Sequence, residues 1–244
     1  MRRTTPGVFA LEPSASVLPW PVEVIEDALS PLILPERLAR FDAIARARLR
    51  SVVVVLESVV DPHNTAAVLR TSDAFGVGEI HLIDRGVKPL MAQRITKGCD
   101  RWLDLHLHHD STACARGLKN RGFEVYVADA RATKTLDEVA ARPDVAMVFG
   151  NEHEGASAEM RAEASGTFSI PMRGMVESLN VSVAAGIAIH AVTRGRAGDL
   201  GERETRALRA RFLIESVREH EMVIERHLRE RETERERHLR EPPG

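Results

Sequence analysis

Five polar or charged side chains stand where the sequence changes from a strand pattern to a turn or a helix. They comprise two amides, a guanidinium, a carboxylate and a hydroxyl group. Such groups can move a proton or hold a cation when a fold brings them together. In chain order they are Asn64, Arg70, Glu152, Ser178 and Asn180.

The carboxylate belongs to a glycine-bounded stretch, GNEHEG, at Gly150–Gly155. It follows the apolar run Val145–Phe149, and ligands of open α/β sheets bind beyond the carboxyl ends of strands. Two glycines permit a ligand to approach the backbone closely, while Glu152 and Glu154 offer acid–base groups or cation ligands. A plain turn is the alternative, because the sequence carries neither a GxGxxG fingerprint nor a phosphate loop.

A shaped loop is predicted at Ile170–Asn180, IPMRGMVESLN, ahead of the apolar run VSVAAGIAIHAV. Pro171 cannot donate to a central ladder, so it ends the preceding strand. Asn180 or Ser178 is expected to cap the following helix, because a side-chain oxygen there can accept a free backbone N–H. Taken alone, the stretch also fits an ordinary strand–loop–helix joint.

Asn64 and Arg70 lie in a helix predicted after the strand Ser51–Glu57. Asn64 or Thr65 can cap this helix. Asn64 and Arg70 are nearly two helical turns apart, so they need not share a face. Considered by itself, Arg70 is most simply a surface salt bridge.

An α/β domain must position these side chains. Ser51–Glu57 is a continuous β-branched run, which is typical of a strand covered on both faces. The alternation of strand and helix patterns predicts a mostly parallel sheet with helices on both faces. Further strands are predicted at 79–84, 102–108, 123–129, 145–149 and 167–170, with helices at 88–98, 112–121, 135–141 and 181–194.

Composition narrows the function classes. The 244 residues are 43% hydrophobic and 4% aromatic, with a formal net charge of −2, so the core must be aliphatic and RNA binding would need local basic patches. No apolar run in the sequence approaches the roughly 20 residues of a membrane span. The spacing of Cys99 and Cys114 suits neither a disulfide framework nor a CxxC zinc motif. Unpaired cysteines of this kind are typical of a protein in the reducing cytoplasm.

Three histidines lie near the end of the predicted strand 102–108: His106, His108 and His109. Alternation places His106 and His108 on one face. Because no third ligand is evident nearby in the sequence, surface histidines and no metal site are expected.

Four segments are expected along the chain. Residues 1–33 suggest a loose leader, 34–50 a helix, 51–195 the α/β domain and 196–244 a charged helical extension. Basic residues in and beyond the helix predict RNA phosphate contacts, with an ordinary solvated face as the alternative. The predicted RNA-contacting residues are Arg40, Arg46, Arg48, Arg94 and Lys97.

Three motifs occur in a fixed order: PHNTAAVLRTSDAFG, VFGNEHEG and IPMRGMVESLNVSVA. Together they resemble the TrmH (SpoU) branch of the SPOUT RNA 2′-O-methyltransferases over about residues 50–195. The resemblance implies methyl transfer from S-adenosylmethionine to a ribose 2′-hydroxyl of tRNA, with a D-loop guanosine as the expected target. It also implies a C-terminal deep trefoil knot, flanking N- and C-terminal helices, and a homodimer that uses the helix at 181–191.

Roles for individual residues follow from the same resemblance. Arg70 matches the arginine that helps to deprotonate the 2′-hydroxyl, either as a base activated by an RNA phosphate or as an electrostatic clamp. Asn64 matches the residue that positions Arg70 and the substrate, Glu152 the acid of the second motif, and Ser178 and Asn180 the polar pair of the third. In-line attack on the methyl group requires no metal. The positions that match cofactor contacts are Ala128, Gly150, Ile170, Met172 and Leu179.

Two other functions fit the sequence. One is the same chemistry on ribosomal RNA. The other is a knotted RNA- or cofactor-binding protein without catalysis. The joint presence of all five functional positions argues against the latter, since a non-catalytic fold would not need them.

Overall fold

A computed structural model describes residues 18–84 and 99–240, with side chains except at 99, 100 and 238–240. The helix predicted at 88–98 and the RNA contacts predicted for Arg94 and Lys97 lie outside the described residues. The described residues divide into two compact units: one contains residues 48–84 and 99–199, and the other combines residues 18–47 with 200–240. Among the described helices, none has both the length and the apolar character needed to cross a membrane.

The first unit is built on a six-stranded sheet in which every pairing of neighbouring strands is parallel. The strand order is β3-β2-β1-β5-β4-β6. The α/β class with a parallel sheet is therefore confirmed. The strands are β1 (Leu49–Glu57), β2 (Val77–Ile83), β3 (Asp104–His108), β4 (Glu124–Ala128), β5 (Val145–Phe149) and β6 (Gly166–Phe168).

Helices cover both faces of this sheet. The described helices of this unit are α3 (Pro62–Ala74), α4 (Ser111–Asn120), α5 (Leu136–Ala140), α6 (Ala158–Glu163) and α7 (Val181–Thr193), and those of the second unit are α1 (Val22–Leu29), α2 (Pro35–Ala47), α8 (Glu202–Ser216) and α9 (His220–Arg240). The β1 side chains alternate between two cores, because successive residues of a strand point to opposite faces. Val52 and Val54 join the core beneath α3, α5 and α7, whereas Val53 and Val55 join the core beneath α4 and α6.

The second unit is helical. Ile25 and Leu29 of α1 are fully buried, so the loose leader predicted for residues 1–33 is wrong over this helix. Phe41 of α2 packs against Phe212 of α8 with ring centroids 5.6 Å apart. Arg209 of α8 binds carboxylates of both neighbouring helices, at 2.8 Å from Glu26 and 2.6 Å from Asp42.

Arg48 is a structural residue and does not contact solvent as an RNA-binding residue must. Its side chain is 2% exposed, and it donates to Asp73 Oδ1 at 2.5 Å and to the Trp102 carbonyl at 3.1 Å. The predicted RNA contact is therefore wrong at this position, because α2 ends at Ala47 and Arg48 enters the first unit. Arg40 and Arg46 are exposed on α2 and stay predicted RNA contacts.

Replacing Arg48 by alanine is expected to lower the free energy of unfolding by about 2–3 kcal/mol, because Asp73 loses its charged partner. Urea denaturation measures this change. The exposed Arg46→Ala variant serves as the control and should stay within about 0.5 kcal/mol of wild type. Weaker RNA binding by Arg48→Ala at unchanged stability would contradict the structural role.

The prediction that His106 and His108 of β3 are surface histidines is wrong. Parallel pairing sets His106 beside His81 of β2, a residue that is 3% exposed. The His81 ring stacks on His106 with a centroid separation of 4.7 Å, and it lies nearly parallel to the His108 ring, whose centroid is 4.9 Å away. His106 and His108 are therefore half-buried members of a side-chain cluster, whereas His109 is exposed.

Candidate active site

A cleft lies at the carboxyl ends of β4, β5 and β6, which are adjacent in the sheet. The loop between β6 and α7 and the first turns of α7 complete its wall. All five residues predicted to contact a cofactor line this cleft, and so do Glu152 and Ser178. The five are Ala128, Gly150, Ile170, Met172 and Leu179.

Gly150 must be glycine because the chain folds back directly onto it. A Cβ atom at this position would lie 2.2 Å from both Ala156 N and Gly155 C. The turn is closed by a pair of backbone hydrogen bonds between Asn151 and Gly155, at 3.1 and 2.9 Å, and Gly155 has a φ of +71°. The Asn151 side chain accepts from His153 N at 2.8 Å. The Gly150–Gly155 stretch is thus a tight turn that presents backbone to the cleft.

Three predicted site residues form one chain of hydrogen bonds. Asn180 Nδ2 donates to Asn64 Oδ1 at 3.1 Å, and Asn64 Nδ2 donates to Glu152 Oε1 at 2.9 Å. The other oxygen of Glu152 accepts from Val60 N at 3.4 Å. Residues 88 and 116 positions apart in the sequence are therefore held together by complementary donors and acceptors.

The helix termini leave these side chains available. The residue before α3 is Asp61, which accepts from His63 N at 2.8 Å, so the predicted cap at Asn64 or Thr65 is wrong. Pro62 suits the first helical position because it needs no acceptor, and this places Asn64 within the first turn. Asn180 does cap α7, accepting from Ser182 N at 2.9 Å through Oδ1 while its Nδ2 reaches Asn64.

Glu152 is held in its ionised form. Burial raises its pKa, but the hydrogen bond from Asn64 and backbone N–H donors outweigh burial, and the net shift is downward. A carboxylate with a lowered pKa is a poor general acid at neutral pH. Its geometry suits an electrostatic and positioning role.

The lowered pKa predicts a pH-dependent contribution to stability. Because the folded-state pKa lies below the unfolded value, Glu152 stabilises the fold above about pH 4.5 and loses this effect as the pH falls. The difference in unfolding free energy between wild type and Glu152→Gln should therefore be larger at pH 7 than in acid. Urea denaturation at both pH values measures it, with the exposed Glu154→Gln as control. An equal difference at both pH values would contradict the lowered pKa.

Arg70 is not part of this chain of hydrogen bonds. It is exposed on α3, nearly two helical turns after Asn64, and makes no hydrogen bond or ion pair with the residues that the structure describes. The salt bridge considered from sequence alone is therefore not formed within the described residues. Ser178 is also exposed, on the loop that lines the cleft.

The cleft wall contains an ion pair that the sequence patterns do not predict. Asp129 Oδ2 lies 2.5 Å from Arg161 Nη1, and Arg161 Nε donates to the Ala156 carbonyl at 3.2 Å. The backbone N–H of Arg131, followed by the Arg161 side chain, lowers the pKa of Asp129 against the effect of burial. The position of Asp129 directly after β4 could have indicated a functional residue. Nothing in the sequence around Arg161, on the short helix α6, could have identified its partner.

Comparison with known proteins places this geometry in a family. Residues 51–190 match the SpoU rRNA Methylase family. Over 161 residues, the chain is 39% identical to the tRNA (guanosine(18)-2′-O)-methyltransferase of Thermus thermophilus, covering 66% of this chain and 83% of the relative.

Solved structures agree with this assignment. A TrmH/SpoU tRNA modifying enzyme of Aquifex aeolicus superposes with a TM-score of 0.67 at 29% identity, covering 75% of this chain and 98% of the other. An AdoMet-bound rRNA methyltransferase from Sinorhizobium meliloti gives a TM-score of 0.54 at 25% identity, covering 63% of this chain and 59% of the other. The cleft, the three motifs around it and these matches together show that the chain belongs to the SpoU methylase family.

Proposed function

We propose that this protein transfers the methyl group of S-adenosylmethionine to a ribose 2′-hydroxyl of tRNA, at guanosine 18 in the D-loop. The observation that carries the proposal is that two distant motifs line one cleft and that the third is hydrogen-bonded to both of them through Asn64. Glu152 and Ser178 line the cleft, and Asn64 and Asn180 are bonded to the same carboxylate network. The names of the Thermus and Aquifex relatives support tRNA as the substrate.

The cleft residues fit S-adenosylmethionine. Ala128, Ile170 and Leu179 give an apolar wall for an adenine ring, and Gly150 leaves backbone accessible where a Cβ atom could not stand. The negative charge of Glu152 complements a sulfonium. When bound, the cofactor supplies an electrophilic methyl group. Met172, whose unbranched side chain adapts to irregular surfaces, completes the proposed cofactor contacts.

The protein's share of catalysis is orientation and proton handling. Asn64 and Asn180 fix Glu152, and Arg70 projects into solvent where a ribose and its phosphates can approach. Arg70 has one of two roles. Either it deprotonates the 2′-hydroxyl once a substrate phosphate activates it, or its positive charge stabilises the developing alkoxide. Ser178 is positioned on the cleft loop to donate to the substrate or the cofactor.

Phosphate contacts outside the cleft are proposed for the exposed basic residues. Arg40 and Arg46 on α2 have the exposure that such contacts need, and Arg94 and Lys97 belong to the same proposal from sequence. Local patches suit a chain with a net charge of −2, because global attraction to RNA is absent. We propose a cytoplasmic location for the protein, which is consistent with a tRNA substrate.

The proposal includes a deep trefoil knot formed by the segment from β6 through α7. The cleft loop between them and the packing of α7 against both α3 and α5 support this path. The division of the chain into a leader, an N-terminal helix, the α/β domain and a C-terminal extension also stays part of the proposal, except that α1 replaces the last part of the leader. A knotted chain in this position would hold the cleft loop in a fixed shape.

A homodimer is proposed through α7. Val183 and Ile187 are 50% and 40% exposed on this helix, and Phe75 at the end of α3 is 42% exposed beside His190. Exposed apolar side chains grouped on neighbouring helices are typical of association surfaces. Residues from a second copy would then lie close to the cleft.

Replacing Val183 and Ile187 together by aspartate is expected to convert the dimer to a monomer, because burying two carboxylates opposes association. Light scattering measures the mass. The control is Met222→Asp, which charges an exposed apolar residue of α9. A monomeric wild-type protein at working concentration would contradict the dimer.

Ribosomal RNA is the second candidate substrate, favoured by the description of the matched family. Unmodified tRNA and ribosomal RNA should be offered separately with radiolabelled S-adenosylmethionine, and the labelled nucleotide mapped. Label in the tRNA D-loop supports the proposal, and label in ribosomal RNA alone overturns the substrate. Cofactor binding without transfer to either RNA would favour a binding protein.

A further inference from the structure

A cluster of nitrogen and sulfur groups lies on the sheet away from the cleft. His81 of β2, His108 of β3 and Cys114 of α4 meet where α4 covers the β2–β3 edge, whereas the cleft lies at β4, β5 and β6. His81 is 3% exposed and Cys114 is 1% exposed. His81 Nδ1 lies 2.8 Å from His108 Nε2 and 3.6 Å from Cys114 Sγ. Three potential ligand atoms from three elements therefore point at one another in a buried place.

A second layer of charged groups fixes the His81 ring. Its Nε2 lies 2.7 Å from Glu79 Oε1, and Arg121 donates to both oxygens of Glu79, with Nη2 to Oε2 at 2.8 Å. Because Glu79 is paired with a guanidinium, its carboxylate accepts from the imidazole, which leaves the His81 Nδ1 lone pair facing Cys114 and His108. A carboxylate behind a histidine is the arrangement that orients metal-binding imidazoles.

We propose that His81 Nδ1, His108 Nε2 and Cys114 Sγ form a binding site for Zn²⁺. Two imidazoles and one thiolate match the donor preference of this ion, and the fourth position falls to water. The three ligand atoms already lie within 4.8 Å of one another. Tetrahedral bonds of about 2.0 Å to nitrogen require roughly 3.3 Å between the two imidazole nitrogens, so the histidines separate by about half an ångström.

A neighbouring set of groups is a poorer site. Glu79, His81 and His106 also approach one another, but Glu79 Oε1 already accepts hydrogen bonds from Arg121 and His81. His106 Nε2 stands 3.9 Å from that oxygen. An ion there would have to compete with a guanidinium for its carboxylate ligand, which favours the set containing Cys114.

Proton balance is simple at the proposed site. The Cys114 thiol loses its proton to solvent when the Zn–S bond forms. His81 keeps its proton on Nε2, facing Glu79, and His108 carries its proton on Nδ1 so that Nε2 has a free lone pair. The ion then ties the edge strand β3 to both β2 and α4, which gives it a structural role separate from methyl transfer.

The test uses Co²⁺ as a spectroscopic probe for Zn²⁺ on the full chain after treatment with a chelator. Wild type is expected to bind one equivalent and to develop a thiolate-to-metal charge-transfer band that added Zn²⁺ removes. Cys114→Ser should lose the band, while Cys99→Ser, which changes the chain's other cysteine, should retain it. His108→Ala should weaken Co²⁺ binding at least tenfold, whereas His109→Ala, its exposed neighbour, should not.

These metal-binding experiments test the zinc site independently of the proposed function, because none of them measures methyl transfer. Zn²⁺ should also raise the midpoint of thermal unfolding of wild type, since binding to the folded state stabilises it by mass action. Failure of wild type to bind either ion overturns the proposal. Loss of the band in Cys99→Ser with retention in Cys114→Ser overturns it equally.

Discussion

Replacing Arg70 by alanine is expected to reduce the rate of methyl transfer at least about 100-fold, because positioned proton transfer or charge stabilisation contributes factors of this size. Arg70 is exposed and forms no hydrogen bond or ion pair with the described residues, so its removal leaves folding intact. Cofactor affinity should stay unchanged, since Arg70 is not among the cleft-lining residues. Single-turnover transfer and cofactor titration measure the two effects separately.

Two further variants sharpen the result. Arg70→Lys keeps the positive charge but loses the planar fork of the guanidinium. Partial methyl transfer by this variant would indicate that Arg70 acts as an electrostatic clamp. No transfer would indicate that the guanidinium itself is needed. Arg194→Ala removes another exposed arginine of the same unit and is the control. Transfer by Arg70→Ala at a rate close to that of wild type would contradict the proposed role.

Replacing Gly150 by alanine is expected to distort the cleft. The new Cβ atom would stand 2.2 Å from backbone atoms of Gly155 and Ala156, so the closed turn must move. Overpacking against backbone should cost about 3 kcal/mol of unfolding free energy. A displacement of about 1 Å in a catalytic segment can lower kcat/KM about 100-fold.

Gly78→Ala is the matched control for this prediction. Its added Cβ atom would meet Arg48 Cδ at 3.7 Å, which is ordinary contact, so stability and transfer should change little. Urea denaturation, cofactor titration and transfer kinetics are measured on both variants. Near-wild-type stability and activity of Gly150→Ala would mean that the turn is not held as the structure describes.

The parallel sheet could be predicted because its central strand is unambiguous. Val52–Val55 are all fully buried, and a run of β-branched residues has this property only when both faces of a strand are covered. The position of the cleft also followed, since GNEHEG and IPMRGMVESLN each come after a strand and the carboxyl ends of parallel strands share one edge.

The remaining features depend on tertiary packing. The basic character of residues 37–50 could not reveal that α2 stops at Ala47, so Arg48 was assigned to RNA although Asp73 and Trp102 bury it. His81 occurs singly in a strand pattern, and only the pairing of β2 with β3 brings it to His106 and His108. Such contacts between distant segments leave no local periodicity.

The most direct test of the central claim is methyl transfer to one tRNA made in two forms. One form carries guanosine at position 18, and the other carries 2′-deoxyguanosine there and is otherwise identical. Labelled methyl from S-adenosylmethionine should enter the first form and not the second, because the deoxy form lacks the attacking oxygen. Equal labelling of both forms would contradict ribose 2′-O-methylation at this nucleotide.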